Sequence, residues 1–143
     1  MKLGLIQTRG LGDIVIVLPV AQALMNSGHE IYWPIDKSWI PDFEEAWPAV
    51  NWLPVTSAAH SMDYFLQPPK QLLTVAGCDR QVVLYSYLSG VNLGHERIAA
   101  SLKFDEHKYA VGGVPFSLKW QLCLVRNVER EQVPAKILEM RRI

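Results

Sequence analysis

An apolar run, a glycine-rich loop, a helical pattern, a glycine and a second apolar run follow one another in the first 34 residues, and that order leaves few folds open. Leu3-Gly4-Leu5-Ile6-Gln7 is short, apolar and ends in polar residues, as a buried parallel strand does. The loop Thr8-Arg9-Gly10-Leu11-Gly12-Asp13 comes next. From Gly12 or Asp13 onward, Ile14, Val17, Leu18, Ala21, Leu24 and Met25 recur at helical spacing and define one apolar face. Asn26-Ser27-Gly28 ends the pattern, with Gly28 placed to take left-handed backbone just beyond the helix. Pro19 inside it predicts a kink, since proline removes a backbone donor. His29 to Trp33 reads as the second strand, closed by Pro34. The sum is a βαβ unit with a right-handed crossover.

Further along, Ile40 to Trp47 predicts a short helix, Val50 to Val55 a third strand and Gln81 to Tyr87 a fourth. Thr56 to Pro69 reads as irregular, with Pro68-Pro69 as a breaker. Leu88 to Gly94 predicts a loop and His95 to Leu102 a short helix. From His107 the character changes. Gly112-Gly113-Val114-Pro115-Phe116 is incompatible with a regular helix, Trp120 to Val125 suggests an edge strand, and Glu129 to Arg142 is weakly helical. The expected organisation is a Rossmann-like α/β domain over residues 1–105, a parallel sheet with flanking helices, followed by an irregular segment over 106–143.

Composition narrows the class of partner. Fourteen basic residues balance fourteen acidic ones, so charge gives no reason to expect nucleic acid or a membrane surface. Cys78 and Cys123 stand far apart without a CxxC neighbour and read as free thiols in a reducing compartment. His29, His60, His95 and His107 lack metal-ligand spacing, so no metal site is expected. Lys2 and Arg9 precede the apolar run Ile14–Val20, and Ala21-Gln22-Ala23 imitates a cleavage box. The same residues, however, make a strand and an amphipathic helix, and the cytoplasm is the expected location. No run approaches the roughly 18 apolar residues that a membrane span requires.

The glycine loop carries the chemistry. A helix start after a strand offers unpaired N–H groups and the positive end of the helix dipole. A dinucleotide fingerprint would need a third glycine where Val15 stands, and Asp13 would set a carboxylate against the pyrophosphate. No Gly-Lys-Ser/Thr follows, so a P-loop is excluded. Asp13 itself has two readings. One makes it only a helix cap. The other makes it a base facing the crevice where α/β sheets hold ligands, ready to take a proton from a substrate hydroxyl. Lys108 and Lys119 flank a glycine-rich loop and read as exposed lysines, with binding of an anionic acceptor as the other reading, and the five tryptophans read mainly as packing residues.

The stretch Gly10-Leu11-Gly12-Asp13-Ile14-Val15-Ile16-Val17-Leu18-Pro19-Val20-Ala21-Gln22-Ala23-Leu24, followed by Gly28-His29-Glu30-Ile31, resembles the opening of glycosyltransferase family 9, the ADP-heptose:lipopolysaccharide heptosyltransferases. The Gly-Asp pair, the Leu-Pro within the first helix and the Gly-His entry to the second strand carry the likeness. A weaker similarity runs through His95-Glu96-Arg97-Ile98, and Lys108 to Trp120 resembles a variant seen in shorter relatives.

The resemblance implies one half of a GT-B architecture, the acceptor-binding half of a metal-independent glycosyltransferase. No cofactor is implied beyond a nucleotide-sugar as donor substrate, and the partners are that donor and a glycan or lipopolysaccharide-type acceptor. It implies Asp13 as catalytic base, with Arg9, Gly10, Gly12, His95 and Arg97 as substrate-binding residues. The family's donor-binding domain has no counterpart in these 143 residues, and a separate chain could supply it. The implied location is cytoplasmic, with peripheral attachment at the inner membrane as an option. The alternative is a non-catalytic vestigial or interaction module that keeps the fold, and a third reading, an NAD-binding oxidoreductase, shares only the βαβ start.

Overall fold

The computed structural model describes residues 1–56, 62–85, 103–121, 125–130 and 132. Four strands, β1 (Lys2–Ile6), β2 (Glu30–Asp36), β3 (Asn51–Val55) and β4 (Arg80–Val83), form one sheet in the order β3-β2-β1-β4. Every pairing is parallel. Helices α1 (Leu11–Asn26), α2 (Ile40–Ala46) and α3 (Met62–Val75) connect the strands, and α4 (Phe104–Gly112) leads into a 3₁₀ turn at Phe116–Trp120. The fold is therefore α/β, with the order of the first four strands of a Rossmann-like sheet.

Side-chain alternation along the strands builds a core on each face of the sheet. Leu3, Leu5, Ile31, Trp33, Ile35, Trp52, Val82 and Leu84 join Ile14, Val17, Leu18 and Ala21 of α1, Phe43 of α2 and Tyr109 of α4 in the larger cluster. Ile6 and Tyr85 point the other way and pack with Leu66 and Leu73 of α3. Each fully buried aliphatic or aromatic side chain contributes about 1.5–3 kcal/mol, which is why the apolar runs of the strands dictate a sheet covered on both sides. Trp33 and Trp52 stack with centroids 5.3 Å apart, and Phe43 closes on Trp52 at 5.0 Å. Gly4 lets α3 lie against β1: a Cβ there would fall 2.5 Å from Cδ1 of Leu73.

Several elements differ from what the sequence predicts. Pro34 does not close β2, which continues to Asp36 and pairs Pro34 with Leu53. The ladder to β1 ends at Tyr32, so Pro34 lies beyond the last β1 pair, and its missing N–H interrupts nothing there. The segment read as irregular up to Pro69 holds most of α3, with Pro68 and Pro69 inside the helix. Leu66, Pro69 and Leu73 recur at helical spacing and are buried, and that burial outweighs the local cost of the prolines.

Nor is the segment after residue 105 wholly irregular, because α4 packs on α1 there. Tyr109 Oη donates to the Ile16 carbonyl at 2.9 Å, and its ring meets Phe116 edge-on at 5.3 Å. Gly113 takes left-handed backbone (φ 69°) and ends α4, and Val114 and Pro115 are not helical, as the composition of 112–116 leads one to expect. Phe116–Trp120 forms a 3₁₀ turn, and most of the edge strand expected over Trp120 to Val125 lies outside the described residues. Residues 125–130 return to α2, where Val125 N–H donates to the Ala46 carbonyl and Arg130 pairs with Glu45.

Candidate functional site at the carboxyl end of the sheet

From β1 the chain moves to β2 and β3 on one side, and then places β4 on the other side of β1. The carboxyl ends of β1 and β4 therefore flank the point where strand order reverses, the place where open α/β sheets hold ligands. Gln7, Thr8, Arg9 and Gly10 leave β1 at this point, and Leu84 and Tyr85 leave β4. The loop is fixed from below. Tyr85 Oη accepts the N–H groups of Thr8 (2.8 Å) and Arg9 (3.3 Å). Gln7 Nε2 donates to the Arg9 carbonyl at 2.8 Å, and the Trp33 indole N–H donates to the Gln7 carbonyl at 3.2 Å.

Helix α1 begins one or two residues earlier than its spacing predicts. Gly10 is the N-cap residue with φ 78°, so the cap is glycine backbone and Asp13 is the third residue of the helix. The cap reading of Asp13 is thereby corrected, since no side chain caps this helix. A carboxylate in a first turn still gains from the helix dipole. The Asp13 carboxylate folds back over Gly10, because a Cβ on Gly10 would collide with Oδ2 of Asp13. Its side chain is one-quarter exposed. Gly12 is exposed, and a Cβ there would meet no atom within 4 Å. Arg9 is half-buried. Its charge adds to the Ser38 hydrogen bonds, chiefly the one from the backbone N–H, that hold Asp36 below the usual carboxylate range.

Lys108, expected on the surface, is instead fully buried. It reaches from α4 into the space beneath the glycine loop. Nζ donates to Gln7 Oε1 at 2.5 Å and to the Leu84 carbonyl at 3.0 Å, and stands 4.0 Å from Oδ1 of Asp13. Burial pulls its pKa from 10.5 down to about 8, against the opposing pull of the Asp13 charge. Lys119 lies over the rings of Phe116 (4.1 Å) and Trp120 (4.9 Å).

The structure thus brings Arg9, Gly10, Gly12 and Asp13 together, while His95 and Arg97 lie outside the described residues. Gln7, Tyr85 and Lys108 belong to the same cluster, and sequence reasoning does not single them out as site residues. Gln7 carries a signal, a polar side chain ending an apolar strand. Lys108 carries none, because nothing in its neighbours distinguishes a buried lysine from an exposed one. Beside the first two turns of α1, Leu11, Val15, Leu18, Trp39, Phe43 and Ala46, with Asp42 at the rim, line a mostly apolar hollow of about 260 Å³. Among the described residues there is no group of three His, Cys, Asp or Glu side chains that could hold a metal ion, and no helix is long and apolar enough to cross a membrane.

Comparison with protein-family models, curated proteins and solved structures finds no match to this chain. The fold and the loop define its class: a Rossmann-like α/β unit with a carboxylate in the first helical turn after the glycine loop, at the switch point.

Proposed function

We propose that this chain is the acceptor-binding half of a metal-independent glycosyltransferase, with Asp13 as its base. In that reaction an acceptor hydroxyl gives its proton to the Asp13 carboxylate as its oxygen bonds to the anomeric carbon of a nucleotide-sugar. The nucleoside diphosphate then leaves with the electron pair of the broken glycosidic bond. The observation that carries the reading is the place of Asp13, a partly exposed carboxylate in the first turn of α1 where strand order reverses. Open space beside Gly12 gives an acceptor room to approach. The resemblance to glycosyltransferase family 9 in the same residues supports the same assignment. A carboxylate at this helix start disfavours a diphosphate, so the donor belongs to a second domain and the acceptor to this one. The chain would then work in the cytoplasm, peripheral to the inner membrane where the acceptor is lipid-borne.

The test is an amide-resolved NMR titration of the chain with a panel of oligosaccharides and, separately, nucleotide-sugars. The expected result is saturable shifts confined to the Thr8–Ile14 loop with a glycan, weakened about tenfold by Asp13→Asn, as for loss of a hydrogen bond to a charged group. Absence of glycan binding at the loop, or binding indifferent to Asp13→Asn, overturns the assignment.

A further inference from the structure

A buried ammonium is costly, by several kcal/mol even after relaxation, and is tolerated where it is both hydrogen-bonded and paired. Lys108 meets both conditions at one place. Gln7 Oε1 and the Leu84 carbonyl take two of its protons, and the Asp13 carboxylate lies 4.0 Å away, at ion-pair rather than hydrogen-bond distance. The anchors come from the ends of β1 and β4, and the lysine comes from a helix that Tyr109 fastens to α1. Three independent elements thus converge under one loop.

We propose that Lys108 is the positioning residue of Asp13. Its buried ammonium holds the carboxylate over Gly10, where it offers an uncharged hydroxyl a proton acceptor. This deepens the acceptor-site reading and rests on it for the identity of the ligand, but the pairing can be measured without one. Among the described residues, Asp13 from α1 and the ring of Tyr85 just after β4, 6.0 Å from Nζ, face the ammonium. His107 is its neighbour on α4, and Arg9 in the loop acts on Asp36. A lysine that merely satisfied the Leu84 carbonyl would not respond to Asp13.

The experiment follows the Cε resonance of Lys108 by NMR across pH 6 to 11 in the chain and in Asp13→Asn, without ligand. The wild-type midpoint is expected near 8. In Asp13→Asn, which alters a partly exposed side chain and leaves the core intact, the midpoint moves to lower pH, because the carboxylate that favours the charged ammonium is gone. An unchanged midpoint overturns the pairing. A second arm repeats the glycan titration from pH 6.5 to 9.5, where loop binding weakens through the Lys108 midpoint in wild type and loses that step in Lys108→Met. Binding whose pH dependence is the same in both proteins overturns the positioning role. Absence of glycan binding at every pH, with the coupling intact, overturns the ligand assignment and leaves the ion pair standing.

Discussion

The phenol of Tyr85 accepts the backbone N–H of Thr8 at 2.8 Å, and so binds the segment that follows β4 to the loop that leaves β1. Parallel strands end without a hairpin to join them, so loops at their carboxyl ends need some other restraint. Here a buried side chain supplies it, with a longer bond to the Arg9 N–H. Tyr85→Phe keeps the ring in its cluster but leaves the Thr8 N–H without that acceptor. A buried orphan donor costs about 1–3 kcal/mol, and that loss is expected in the denaturant midpoint. Hydrogen exchange at Thr8 and Arg9 should quicken more than in β2, and equal protection in both regions would contradict the restraint.

Burial of Lys108 makes stability depend on pH in a definite direction. Its pKa is about 8 in the folded chain, against 10.5 for an unfolded one. Between those values the unfolded chain binds more protons, so stability rises with pH. The penalty is fully present below pH 8 and is relieved by about pH 10.5, and the gap corresponds to roughly 3 kcal/mol. Tyr109 acts oppositely at higher pH. Burial pushes its phenol from 10.0 up to about 12, so its contribution is present below pH 10 and lost as pH rises towards 12. Urea midpoints from pH 7 to 9.5 should therefore climb in wild type and stay nearly level in Lys108→Met. Parallel curves for the two proteins would contradict the assignment.

Much of the first half was legible because its signals are local and agree. The apolar run of β1, the spacing of Ile14, Val17, Leu18 and Ala21, and Gly28 with its left-handed backbone (φ 88°) each point to one structure. What escapes the sequence depends on contacts distant along the chain. Lys108 and Gln7 stand 101 positions apart, and no local pattern announces that they meet. In α3 two signals conflict: Pro68-Pro69 argues for a break, while Leu66, Pro69 and Leu73 keep helical spacing, and contact with β1 decides for the helix. The sequence marks the glycine loop as a candidate site, but it does not reveal that its carboxylate has a charged partner.

The prolines of α3 give a test of that balance. Pro68 is half-buried, and an interior proline withholds a helix hydrogen bond and crowds the preceding turn. Pro68→Ala restores the donor but also frees the unfolded chain, which returns a part of the gain. A net stabilisation of about 1 kcal/mol is expected by thermal or urea unfolding, within the range that opposing terms of this size allow. Destabilisation would mean that the ring at 68 contributes packing which outweighs the missing bond.

Gly10 and Gly12 should respond in opposite ways to the same substitution. Gly10 holds φ 78°, a conformation that costs a residue with a Cβ about 1–2 kcal/mol, and its Cβ would also strike the Asp13 carboxylate. Gly10→Ala is therefore expected to destabilise the chain by at least that amount and to displace Asp13 from Lys108, lowering the Lys108 midpoint as Asp13→Asn does. Gly12 lies within α1 with open space where a Cβ would go. There alanine removes the entropic cost of a helical glycine and is expected to stabilise by roughly 0.5–1 kcal/mol, with the Lys108 midpoint unmoved. Glycan binding separates the two roles further, because a methyl at Gly12 occupies the space an acceptor would use. A Gly12→Ala chain that is more stable yet binds glycan more weakly would fit a glycine kept for a ligand, whereas unaltered binding would place the acceptor elsewhere.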